Sequence, residues 1–243
     1  MTEREPWGFW ATCGLGLCVA FAFVLCQAAV MGVFLGAELL QDPGIEATAY
    51  LAELDTDGFF IAVATCVCAA AGTALTVLFA RLRGWTAGRY LALGGVERPV
   101  LAKWLVGTVA AVLAVDLLNA WFGRPLVPRF VEDAYATAVF PALFWFAFVV
   151  AAPVFEELFF RGFLYLGLQR ALSRFAHADA GAVLLTSAAF GACHSRYRGA
   201  DIVSALGLGL LLGAARWRTG STRVTLAMHI LVNGVSVVET AML

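Results

Sequence analysis

Val154-Phe155-Glu156-Glu157-Leu158-Phe159-Phe160-Arg161-Gly162 interrupts an apolar stretch that covers residues 137–169. A charged side chain near the centre of a bilayer costs roughly 2.5–3.5 kcal/mol even on lenient insertion scales. Three ionisable groups this close together therefore need a compensating environment. The rest of the chain says what kind. Its 243 residues are 62% hydrophobic and 14% charged, too apolar for an ordinary soluble domain and suited to an all-α, polytopic membrane bundle. The formal net charge of −1 gives no bulk attraction to nucleic acid, and no nucleic-acid partner is expected.

Outward from the motif, seven apolar spans are expected at about 8–36, 58–80, 104–122, 137–166, 181–197, 200–216 and 222–241. Each is near the ~20 residues that carry a helix across the hydrocarbon core, the fifth and sixth being somewhat short. The expected fold is thus a bundle of about seven transmembrane helices in a lipid bilayer. The first run is too long for the apolar region of a signal peptide and lacks a convincing cleavage site, so it is expected to stay as a helix. The six cysteines all lie in apolar segments without zinc-type spacing and read as small hydrophobes.

Charges in the connections set an orientation. Residues 37–57 carry six acidic side chains and no Lys or Arg, whereas 81–103 carries Arg81, Arg83, Arg89, Arg98 and Lys103. With Arg161 set aside, 11 basic residues fall on one side (Arg4, Arg170, Arg174, Arg216, Arg218 and Arg223 among them) and 4 on the other (Arg124, Arg129, Arg196, Arg198). The expectation is a multi-pass protein of the cell membrane with a cytoplasmic N-terminus and an external C-terminus. Trp85, Tyr90, Leu91 and Leu93 alternate with the basic residues of 81–103, which fits either a short interfacial helix or a plain basic loop. Small residues at four-residue spacing, Gly32 and Gly36, then Ala205, Gly209 and Gly213, are expected to let helices approach closely.

On a helix Glu157 and Arg161 share a face, and Glu156 lies about 100° away. Glu157 is expected to neutralise Arg161 while Glu156 faces a different neighbour. Pro153 cannot donate to the Val149 carbonyl and is expected to bend the helix near these groups. Two later spans carry the remaining prominent polar interruptions: Phe190-Gly-Ala-Cys-His194 in the fifth, and His229-Ile-Leu-Val-Asn233, with His and Asn on one face, in the seventh. Gathered together, a carboxylate, two imidazoles and a carboxamide suffice to hydrolyse an amide. The carboxylate takes a proton from water, an imidazole orients it, and the other donors stabilise the oxyanion. The same imidazoles alternatively hold zinc, through Glu156, His194 and His229, although the His-Glu-x-x-His spacing of soluble zinc proteases is absent. Asp116 and Asn119 form a local pair or line the same cavity, His177 is expected to be solvated, and Asp201 to cap the sixth helix. Ser187, Ser195 and Ser204 have no obvious base.

Glu156-Glu157-x-x-x-Arg161, Phe190-x-x-x-His194 and His229-x-x-x-Asn233, in that order and each in an apolar span, resemble the three-motif signature of the CPBP family, the CaaX-protease, Abi or Rce1-like intramembrane proteases. The resemblance covers about residues 140–240 and divides the chain into N-terminal membrane helices (1–136) and catalytic helices (137–243) of one integral membrane domain. It implies a multi-helix site within the bilayer, open toward the cytosol. Glu156 would be the general base, His194 its partner on the water, and His229 and Asn233 the oxyanion site. Glu157 and Arg161 would support the geometry. The family has been described both with and without metal, and the motifs here are compatible with either. The substrate class implied is a membrane-associated, in some members prenylated, protein. Non-proteolytic scaffolds and bacteriocin-immunity proteins share the fold and form the alternative. A proton-coupled transporter with Glu156 as relay is the third reading, weakened by the absence of inverted repeats.

Overall fold

The computed structural model describes residues 5–194 and 200–242. All elements are helical, with no strand among the described residues. They are α1 (Phe9–Gln41), α2 (Ala47–Leu54), α3 (Gly58–Arg81), α4 (Ala87–Tyr90), α5 (Arg98–Trp121), α6 (Arg129–Ala136), α7 (Pro141–Ala171), α8 (Ala178–Cys193), α9 (Ala200–Thr219) and α10 (Thr222–Met242). Local sequence sets several ends. Asp57 caps α3 by accepting from the Phe60 N–H at 2.6 Å, and Glu46 caps α2 by accepting from Ala49 at 2.8 Å. Pro99 and Pro141 open α5 and α7, where a missing N–H costs nothing. Gly123 and Gly220 follow α5 and α9 with positive φ, the usual helix stop.

Each of the seven expected spans falls on a helix, residues 195–197 of the fifth lying outside the described residues, and α1, α3, α5, α7 and α10 are each long and apolar enough to cross a membrane. The chain is a polytopic helical bundle. α8, with 16 residues, is a shorter apolar helix. α9 ends in Arg216 and Arg218. Arg216 corrects the charge tally. It is not a loop residue but a side chain 6% exposed, buried against α7. Arg4, Ser195, Arg196 and Arg198 lie outside the described residues. Asp201 does not precede its helix, which already runs at Ala200.

Helix contacts follow the small residues where a neighbour is present. A Cβ on Gly209 would lie 3.2 Å from Ser187 Cβ, and one on Gly213 2.8 Å from Val183, so α8 and α9 pack through these positions. A Cβ on Gly32 or Gly36 would meet nothing within 4 Å, so no described helix of this chain packs closely there. The basic connection is neither an interfacial helix nor a plain loop. Tyr90 and Leu91 are fully buried, Tyr90 stacks on Phe163, and Leu91 fits against Gly162 in α7. Its Ala92 carbonyl accepts from the Thr222 N–H at 2.9 Å, which ties the connection to the start of α10.

Candidate active site

α7 positions the motif that interrupts its sequence, and it is not a uniform helix. Residues Ala147–Ala151 and Glu157–Leu164 form wide π turns on either side of an ordinary α turn, Ala152–Glu156, that contains Pro153. The expected bend is thus expressed as a change of helical register. Proline removes one amide from the ladder, and the backbone widens to accommodate the loss. Such turns recur at functional sites because they rotate side chains away from the positions a regular helix dictates.

The two glutamates divide as their angular separation requires. Glu157 and Arg161 are both fully buried, with Arg161 Nη1 donating to Glu157 Oε1 at 3.0 Å. The same carboxylate oxygen accepts from His229 Nδ1 at 2.9 Å. Glu157 therefore serves two partners, Arg161 along its own helix and His229 from α10. An ionised carboxylate only accepts, so His229 carries a proton on Nδ1. Its other nitrogen, Nε2, faces Glu156 Oε2 at 3.7 Å. Glu156 keeps 20% of its side chain exposed, whereas His229 keeps 3%. Arg161 is held further by a 3.2 Å bond from Nη2 to the Gly209 carbonyl and by the Phe190 ring, 4.5 Å from its guanidinium carbon.

Phe190 brings the second motif in. Its ring centroid lies 4.4 Å from that of His194 and 5.9 Å from that of His229. His194 Nδ1 sits 2.8 Å from the Phe190 carbonyl, a bond in which the imidazole must donate, leaving the lone pair on Nε2. Asn233 occupies the same face of α10 as His229 and donates one N–H to the Phe148 carbonyl at 2.8 Å. A cavity of about 260 Å³ borders these groups at Phe148 and Cys193 and reaches the acidic connection at Leu54 and Asp55. Asp116 of α5 lies close to Glu239 of α10. His177 is exposed, as expected, and the six thiols are free.

Among the described residues, no three His, Cys, Asp or Glu side chains are grouped so as to hold a metal ion. Glu156 and His229 supply two donors, since the bond from His229 Nδ1 to Glu157 leaves Nε2 directed at Glu156. Two grouped donors among the described residues fall short of the three-ligand site that catalytic zinc uses.

Residues 138–235 match the model of a family described as type II CAAX prenyl endopeptidase Rce1-like. Over this segment the chain is similar to that family. That is a family of proteases, and its match begins just before α7 and ends within α10, so it contains all seven residues named in the three motifs. No curated protein and no solved structure gives a significant match.

Some polar groups of the matched segment escape a reading by motif. Arg216 Nε donates to the Arg161 carbonyl at 2.9 Å and its guanidinium lies 4.8 Å from the Tyr165 ring. The Tyr165 hydroxyl in turn donates to Asp179 at 2.7 Å. Arg216 resembles any membrane-flanking arginine in sequence, and nothing local marks it. The face of α10 is legible, since Thr222, Thr225, His229, Asn233, Ser236 and Thr240 recur every three or four residues. Thr222, Thr225 and His229 are buried.

Proposed function

We propose that this chain is an intramembrane peptidase of the cell membrane that hydrolyses a peptide bond in a membrane-associated protein. The observation that carries the reading is the placement of His229 between two glutamates, Nδ1 on buried Glu157 and Nε2 toward the partly exposed Glu156. The two carboxylates have different environments and can take different roles. Glu157, neutralised by Arg161, orients the imidazole. Glu156 is the general base. In this reading water gives a proton to Glu156 as its oxygen adds to the scissile carbonyl, and His194 Nε2 helps to orient that water. The second N–H of Asn233 donates to the oxyanion, and His229 joins it through Nε2 in the form that carries a proton on both nitrogens. Collapse expels the amine, which recovers the proton from Glu156. Residues 137–243 supply the chemistry and 1–136 the packing partners.

The apolar cavity beside Cys193 suits a lipidated or transmembrane segment of substrate, a prenylated C-terminus included. The charge distribution favours a cytoplasmic N-terminus and an external C-terminus. The test is reconstitution with a farnesylated peptide and with transmembrane peptides, comparing wild type with Glu156→Gln. Loss of a general base predicts a fall of about 10²–10⁴-fold. Equal cleavage by the variant overturns the assignment of the base. A scaffold or immunity role is favoured by the commitment of one Asn233 N–H to backbone. A cellular phenotype that survives Glu156→Gln and His194→Gln at normal expression would support that role instead.

A further inference from the structure

We propose that Arg216 is a positioning residue, holding a backbone carbonyl that the wide turns of α7 leave without an amide and thereby fixing the rotation of Glu156 and Glu157 toward His229. The proposal rests on the peptidase reading for its consequence, but its geometry stands separately.

A helix that returns from five-residue to four-residue closure skips one carbonyl. α7 does this twice. The first wide segment ends with the Ala152 N–H on the Ala147 carbonyl. The next residue, Pro153, has no N–H, so Phe148 is left without a main-chain donor. The second wide segment ends with the Tyr165 N–H on the Phe160 carbonyl. Ordinary closure resumes over Tyr165–Ala171, and Arg161 is the residue passed over. Each of these carbonyls is taken by a side chain from another helix, Phe148 by Asn233 Nδ2 at 2.8 Å and Arg161 by Arg216 Nε at 2.9 Å. Inside a membrane a freed carbonyl has no water to turn to, so a polar side chain must supply the donor.

Arg216 is built for this task. It is 6% exposed, its guanidinium lies over Tyr165, and Asp179, bonded to the Tyr165 hydroxyl, supplies the countercharge on α8. Gly167 in the last part of α7 is seated on Thr12 of α1, so Tyr165–Ala171 is anchored on two sides. Without the Arg216 donor, α7 relieves the unpaired carbonyl by giving up the extra residue of the wide turn. One residue in a helix of 3.6 per turn is a rotation of about 100°. The part of α7 carrying Glu156 and Glu157 would turn by that amount relative to the anchored end. Glu157 would then leave His229 Nδ1.

The test reads the imidazole and needs no substrate. The chain has only three histidines, so 15N-labelled His229 is assigned against a His229→Gln control in detergent. Arg216→Met removes the donor, and Arg216→Gln keeps a neutral donor of similar reach. The expected result is loss of the carboxylate-bonded His229 Nδ1 signal in the Met variant and its retention in the Gln variant. Failure of the Met variant to fold beside a folded Gln variant with the native signal also supports the proposal. An unchanged signal in a folded Met variant overturns it, as does loss of the signal or of folding in the Gln variant, which would assign the role to charge. The imidazole signal can be read in a chain that cleaves no peptide, so failure of the peptidase reading is separable from failure of the clamp.

Discussion

Replacing Glu157 by Gln should cost far more stability than the same change at Glu156, although the two are neighbours in sequence. Glu157 is fully buried and its Oε1 accepts from both Arg161 and His229, at 3.0 and 2.9 Å. The amide keeps the shape and removes the charge, which leaves the guanidinium of Arg161 without its carboxylate in the interior. Removing one partner of a buried ion pair costs about 3–5 kcal/mol. For a chain of this size that corresponds to a fall in Tm on the order of 10 °C. Glu156 is partly exposed, and His229 Nε2 lies 3.7 Å from its carboxylate, beyond hydrogen-bond distance. Its substitution should move Tm by little while removing activity. Thermal unfolding of both variants in detergent, followed by tryptophan fluorescence, makes the comparison. A double variant, Glu157→Gln with Arg161→Met, should recover part of the loss, because the orphaned charge is gone. The reasoning is refuted if Glu157→Gln melts with wild type, or if the double variant is no more stable than Glu157→Gln alone.

Other outcomes follow from the packing and the connections. Gly58→Ala should destabilise by about 1–3 kcal/mol, because its Cβ would collide with the Ala134 carbonyl oxygen, a backbone atom that cannot swing aside. Limited proteolysis at α6 would reveal the loosened contact. Ala92, at φ 54°, occupies the left-handed region without being glycine. Ala92→Gly should raise stability by up to about 1 kcal/mol, relief of the Cβ contact exceeding the added chain entropy, as measured by thermal unfolding. Burial pushes the Tyr90 phenol up to about 12. The folded state thus holds its proton above pH 10, where the unfolded chain releases it. Stability should therefore fall as pH rises from about 10 to 12, and Tyr90→Phe should lessen that fall in alkaline unfolding curves.

The sequence carried the architecture because apolar length is a one-dimensional property. Seven hydrophobic runs became seven helices, and the small residues Gly209 and Gly213 marked a real contact. The same rule assigned Gly32 and Gly36 a contact they lack, since spacing does not say whether a neighbour is there. The pairing of Glu157 with Arg161 was legible for the same local reason, being one helical turn. The partners of His229 and Asn233 were not, because they lie on α7 and depend on how α10 is rotated against it.

What the chain determined by itself was the number of helices, their apolar lengths, and the set of polar groups that hydrocarbon would not accept singly. Only the tertiary structure decided how those groups share one another. It gave Glu157 two partners, turned Asn233 to a backbone carbonyl, and drew Arg216 from the expected loops into the bundle. The physical reason is the widened register of α7. Proline takes an amide from the ladder, and the carbonyls left over must be met by whichever side chains the other helices bring within reach.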